Sequence, residues 1–161
     1  MRTTLIGVLV GAGLLTVATA SFAAPSPAEM DRDLIEITIP QLQRLYAEHK
    51  YTVVQVTAWY LARIKKYDGI YRAVETVMDK DALAAAARED ADTKPTHGPL
   101  WGVPMVVKAN TSMAGQVTTD GWEGFKLPGH ELIAPKDAPI VAKLRAAGAI
   151  ILGHTNMPDY A

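Results

Sequence analysis

Apolar positions recur at helical spacing in blocks, and polar, glycine- and proline-containing breaks separate the blocks. Leu42, Leu45 and Tyr46 fall on one face, and Thr38 followed by Pro40 supplies a start, since a proline is tolerated in the first turn. This spacing predicts a helix over 38–49. Thr52 then stands as N-cap to a stripe of Val53, Val56, Tyr60, Ile64 and Tyr67, a second helix closed by Asp68-Gly69. Val74 to Met78 reads as a short strand, and Asp79 as the cap of an Ala-rich helix over 80–92. A loop over 93–99 leads to a strand over 103–108 with Pro104 near its start. Residues 110–135 lack a period and are rich in Gly, Thr and Pro. That is long for a loop, which favours a functional or partner-covering role. Asp137 is expected to cap a helix over 138–147, with Pro139 in its first turn and Gly148 as its stop. Residues 149–153 form a continuous apolar run, the pattern of a buried strand.

Strand, long loop, helix, strand is the order of an α/β crossover, so the expected fold is α/β, with helices packed on a partial mixed or parallel sheet. The fold is expected to be incomplete. Two clear strands and a weaker third are few for so many helices, so further sheet is expected after Ala161, and strand 149–153 is expected to lack neighbours. The chain has no internal repeats.

The first residues follow a different pattern. Met1-Arg2 precedes Leu5 to Val17, an apolar stretch of about 13 residues that is too short for a full membrane span. Small residues follow, with Ala18-Thr19-Ala20 and Ser21-Phe22-Ala23 as cleavage sites. Residues 1–23 are therefore expected to be a signal peptide, 24–37 an extended spacer around Pro25-Ser26-Pro27, and 38–161 the folded part. A cleavable signal implies a secreted or periplasmic protein with no stable membrane span after cleavage.

Composition narrows the chemistry. A formal net charge of −1 offers no electrostatic case for nucleic acid. The absence of cysteine excludes disulfides, thiolate nucleophiles and Cys-ligated zinc. His49, His97, His130 and His154 are isolated, without metal-like spacing, so neither a metal nor a cofactor is implied. His154 sits at a strand end, where active-site residues occur. Asp120 and Glu123 are neighbours in sequence only. Ser112, Thr118 and Thr119 lie in the long loop, but no Gly-x-Ser-x-Gly elbow exposes them. Lys108 is the main candidate: it ends a short apolar strand, where desolvation can turn a lysine into a proton acceptor.

Gly98-Pro99-Leu100-Trp101-Gly102-Val103-Pro104-Met105-Val106-Val107-Lys108-Ala109-Asn110 resembles the lysine segment of the amidase signature family. Thr118-Thr119-x-Gly121 is similar to that family's Thr-Thr-x-Gly loop. Asp137 to Gly153 resembles its helix–strand segment, and Thr155-Asn156-Met157 its Thr-Asn-Met turn. The resemblance runs from Ile39 to Ala161 in the family's order and identifies 38–161 as the N-terminal part of an incomplete amidase domain. It departs at two places: Ala109 stands where Asp is common, and His154 where Lys is common.

The resemblance implies amide-bond hydrolysis by a Ser–cis-Ser–Lys triad on a small-molecule amide substrate, with Lys108 as the base. The lysine accepts a proton from a bridging serine, which activates the nucleophilic serine. Backbone N–H groups near the nucleophile hold the oxyanion. In this family both serines lie beyond the Thr-Asn-Met turn, whereas here Ser112 is the only serine after Ser26. The chain by itself is therefore expected to be inactive. A different reading is a truncated or vestigial fragment that binds a partner or small ligand through an exposed sheet edge. A third is the amidotransferase subunit that acts on misacylated tRNA, which shares the motifs; the secretory start argues against it.

Overall fold

The computed structural model describes residues 25–161 apart from Pro95. The expected signal peptide, 1–23, lies outside the described residues. Among those described, no helix is long and apolar enough to cross a membrane.

The segment expected as an extended spacer instead contains a helix, α1 (Pro27–Leu34). Ser26 caps it by accepting from Glu29 N at 3.3 Å, and Pro27 occupies the first turn rather than an extended linker. Met30 and Leu34, four residues apart, are both buried. Polar contacts reinforce the docking: Trp59 Nε1 donates to Asp31 (2.9 Å) and the Tyr51 hydroxyl to Asp33 (2.6 Å).

Helix α2 (Ile39–Ala47) follows, and then α3 (Val53–Tyr71). Thr52 is the N-cap of α3 as expected, in a reciprocal capping box with Gln55 at 3.1 and 2.9 Å. The Asp90 carboxylate adds to this end, accepting from Val53 N (2.7 Å) and Val54 N (3.0 Å). Asp68-Gly69 does not close α3. The helix runs on to Tyr71 and stops at Arg72, which adopts φ +49°, while Asp68 Oδ1 accepts from Ala73 N and Val74 N just beyond. Strand β1 (Val74–Val77) leads into α4 (Asp79–Asp90), whose N-cap is Met78 rather than Asp79. Strand β2 (Pro104–Lys108), a 3-10 turn (Glu123–Lys126), helix α5 (Pro139–Ala146) and strand β3 (Ile150–Thr155) complete the fold. Asp137 does not cap α5. Its carboxylate accepts instead from Ala114 N (2.8 Å) and Arg145 Nε (3.0 Å), pinning the long loop to the helix.

The sheet has the order β1-β3-β2, with β1 antiparallel and β2 parallel to β3. It is a mixed sheet. Strand β3 is the central one: β2 pairs with it from Ile150, and β1 joins its other side from Leu152 on, so 149–153 lacks neighbours only on the β1 side of its first residues, and among the described residues the open edges belong to β1 and β2. Both faces of β3 are covered, which explains its unbroken apolar run. Ile150 and Leu152 pack into a core with residues of α1 to α4, among them Leu34, Val53, Val56 and Trp59. Ile151 points the other way, into a smaller core with Met113 and Val141.

Two predictions arise from this packing. Thr57 is fully buried in α3, and its hydroxyl has no hydrogen-bond partner among the described residues. An unpaired buried hydroxyl costs free energy that an isosteric methyl does not, so Thr57→Val is expected to raise stability by about 1 kcal/mol. Urea unfolding checks this; a loss of stability would contradict it.

The second concerns acid. Asp33 is held below the usual carboxylate range, chiefly by its hydrogen bond to Lys50 and then by that from Tyr51. A depressed folded value stabilises the protein above the unfolded carboxyl range near ~4, and that contribution is lost as pH falls through the folded value. Asp33→Asn should therefore shrink the difference between urea midpoints measured at pH 7 and in strong acid. An unchanged difference would show that the cluster carries no such linkage.

Candidate active site

Lys108 is the last residue of β2, and the parallel register sets it opposite Thr155, the last of β3. Loops converge at the C-terminal ends of parallel strands, which is where α/β folds build their sites. The backbone around Lys108 is tied down on every side. Thr111 N donates to Lys108 O at 2.8 Å, closing a turn, and Ala109 N donates to Thr155 O at 3.2 Å. The His154 Nε2–H donates to Thr111 O at 2.9 Å, which fixes the turn from below. His154 is fully buried, so its role here is to anchor that turn. Ala109, also fully buried, occupies a space where a carboxylate would need a buried partner.

The long loop returns to the same point. Asp120 N donates to Ala109 O (3.2 Å), and Tyr160 N donates to Asp120 O (2.8 Å). Gly121 adopts φ +81°, and a Cβ there would lie 2.6 Å from Pro158 O, so only glycine allows the loop to lie against the Thr-Asn-Met turn. Thr118 and Thr119 are buried. Thr118 donates to Ser112 Oγ at 3.3 Å. Thr119 Oγ1 donates to Glu75 Oε2 at 2.8 Å and accepts from Gly121 N at 3.2 Å.

Glu75 gave no signal in the sequence beyond being an acid inside an otherwise apolar strand. Its carboxylate is only 7% exposed, and Oε1 lies 2.8 Å from Lys126 Nζ. That contact is a charge pair without the alignment of a directed hydrogen bond. Burial pulls the Lys126 ammonium down, but its bonds to Glu75 and Glu123 outweigh this and hold it above the usual lysine range. On the lysine side the pair therefore persists through neutral pH and is lost as pH rises past the lysine's folded value.

The structure thus gathers Lys108, His154, Ser112, Thr118, Thr119 and the backbone of Asp120 at one end of the sheet. It separates the other candidates. His97 stacks on Trp101 with centroids 4.3 Å apart, at the turn that precedes β2, the opposite end from Lys108. Glu123 is exposed and pairs with Lys126 at 3.0 Å, with no bond to Asp120 among the described residues. His49 and His130 are exposed. Lys108 itself is also exposed: nothing among the described residues covers its ammonium.

A mixed three-stranded sheet under four helices, with a lysine delivered by a Gly-Pro-rich turn and a short strand, is an amidase-type arrangement. The Amidase family model matches residues 55–161, and the chain belongs to that family. It is 38% identical over 128 residues to a glutamyl-tRNA(Gln) amidotransferase subunit from Alkaliphilus metalliredigens, covering 78% of this chain and 25% of that protein. Among solved structures it is similar to the native peptide amidase from Stenotrophomonas maltophilia, with a TM-score of 0.69 and 34% identity over 78% of this chain and 26% of that one. An amidase family protein from Bacillus anthracis aligns with a TM-score of 0.76 and 28% identity, over 84% of this chain and 27% of that one. The chain spans about a quarter of the length of the curated relative it matches.

Proposed function

We propose that these residues are the N-terminal part of a secreted or periplasmic amide hydrolase in which Lys108 is the catalytic base. One observation carries the reading: the family's lysine segment ends at the C-terminal tip of β2, directly beside the Thr155-Asn156-Met157 turn that leads out of β3. The backbone that carries Lys108 is held in place there, because the turn after it is bonded to both Thr155 and His154.

In the proposed chemistry the neutral Lys108 amine takes a proton from a bridging serine, and that serine takes one from the nucleophile. The nucleophile attacks the amide carbonyl, the amine leaves with a proton, and water then releases the acid. The two serines and the oxyanion donors come from outside residues 1–161, as does the cover that desolvates Lys108. The 161 residues alone are inactive on this reading. The substrate is a small-molecule amide, and nucleic acid has no part.

The test is hydrolysis of simple amides by the full-length protein and by the 161 residues alone. Turnover by the full-length protein that is lost in Lys108→Ala supports the proposal. Turnover that persists in Lys108→Ala overturns the assignment of the base. Turnover by the 161 residues alone, lost in the same variant, overturns their inactivity. The similarity to an amidotransferase component favours a second reading, a glutamine-hydrolysing protein working beside a partner. Glutamine-specific ammonia release that depends on added partner would favour it, and free turnover of simple amides would exclude it.

A further inference from the structure

The register of β1 against β3 shifts between Val74 and Thr76: Val74 pairs with Thr155, and Thr76 with His154. Glu75 is therefore the extra residue of a β-bulge. A bulge takes one residue out of the in–out alternation and re-aims its side chain, and such bulges recur beside active sites. Here the re-aimed group is a carboxylate, 7% exposed, at the end of β1 that borders the tip of β3.

Burying a carboxylate is costly unless it is paired and hydrogen-bonded. Glu75 has one partner for each oxygen: the Thr119 hydroxyl on Oε2 and the Lys126 ammonium beside Oε1. Both partners lie on the long loop. From Thr119 the connection runs through two residues to the base. Thr119 Oγ1 accepts from Gly121 N, Thr119 O accepts from Trp122 N (2.9 Å), and the intervening Asp120 N donates to Ala109 O, the residue after Lys108. Strand β1 and the residue after the tip of β2 are thus bonded to adjacent residues of the Thr-Thr-x-Gly loop, β1 through the Thr119 hydroxyl and Ala109 through Asp120 N. A purely structural ion pair would need neither a bulge nor a loop partner whose next residue is bonded to the backbone beside Lys108.

We propose that Glu75 is a positioning residue for Lys108, acting through Thr119 and the Asp120–Ala109 backbone bond; this rests on Lys108 being the base. The Lys126 ammonium, 2.8 Å from Oε1, holds the side chain of Glu75 from the side opposite Thr119. A misplacement of about 1 Å at a reacting group can cost on the order of 100-fold in rate.

The test uses the full-length hydrolase with a simple amide and four variants: Thr119→Val, Thr119→Ser, Glu75→Gln and Lys108→Ala. Thr119→Val removes the hydroxyl at nearly constant volume and is the central variant. It is expected to lower kcat by about 10- to 100-fold with KM little changed, measured per folded molecule. Thr119→Ser, which restores the hydroxyl, is expected to recover most of that loss. Glu75→Gln, which keeps an acceptor but loses the charge that Lys126 pairs with, is expected to fall between them. Its combination with Thr119→Val should cost no more than Thr119→Val alone, because both act through one bond. The proposal is overturned if Thr119→Val lowers the melting temperature yet leaves kcat within about twofold, if Thr119→Ser fails to rescue, or if the two losses simply add. Lys108→Ala separates the two readings. If that variant keeps its turnover, the base assignment fails. If it is dead while Thr119→Val is fully active, only the role of Glu75 fails.

Discussion

Lys108→Ala in the full-length protein is expected, on the proposed role of Lys108 as the base of amide hydrolysis, to reduce kcat by a factor on the order of 10²–10⁴, the usual worth of a positioned general base. Stability should hardly move. Lys108 is exposed, and surface substitutions away from caps and cores stay within about 0.5 kcal/mol. Lys108→Arg is the sharper variant. It keeps the positive charge and the length, but a guanidinium cannot give up its proton in a protein, so it cannot act as a base. If Lys108 only attracted or oriented a substrate by charge, arginine would retain much of the rate. If Lys108 is the base, arginine is as inactive as alanine. Steady-state kinetics of the two variants beside their melting curves decides between these cases.

Gly153→Ala is expected to be the most damaging small substitution in the fold. Gly153 lies on the central strand where the β2 register shifts between Met105 and Val106, and on its other side it pairs with Val77 of β1. A Cβ at this position would collide with Thr76 O. The atom in the way is backbone, held in the sheet next to the Glu75 bulge, so it cannot swing aside as a side chain would. Overpacking in a tight core costs about 1–3 kcal/mol even where side chains can adjust. Here the collision forces β1 away from β3, and the loss is expected to be about 3 kcal/mol or more. Urea unfolding of the protein measures it, and a change of less than about 1 kcal/mol would show that β1 can slide. A milder result with activity lost would point instead to displacement of Glu75 alone.

The helices and strands were legible where a single local signal governed them. The Val53–Tyr67 stripe with its Thr52 cap, the Lys108 strand and the apolar run of β3 all follow from periodicity and cap chemistry. Three misreadings share a cause: each was decided by a partner distant in sequence. Pro25-Ser26-Pro27 reads as a spacer until Trp59 and Tyr51 supply donors for the acids of α1. Asp137 reads as a helix cap until Ala114 and Arg145 claim its carboxylate. Strand β3 reads as short of neighbours until β1 turns antiparallel and covers its free side from Leu152 on. At the candidate site, motifs single out Lys108 and Thr118-Thr119 as candidates. Glu75 is not among them, because a bulge has no periodic signature and its two partners lie 44 residues or more further along the chain.

The order β1-β3-β2 has a consequence for how the chain is assembled. Strands β1 and β2 have no bond to each other; each pairs with β3, the last of the three to leave the ribosome. Helices α1 to α4 can meet by local contacts, but no ladder of this sheet can close until Thr155 has been made. Strand β1 thus waits unpaired through the synthesis of residues 78–149, and β2 through that of 109–149, and non-local pairing of this kind is slow and exposed to aggregation. Residues of β3 are therefore the ones whose substitution should slow folding as well as hasten unfolding.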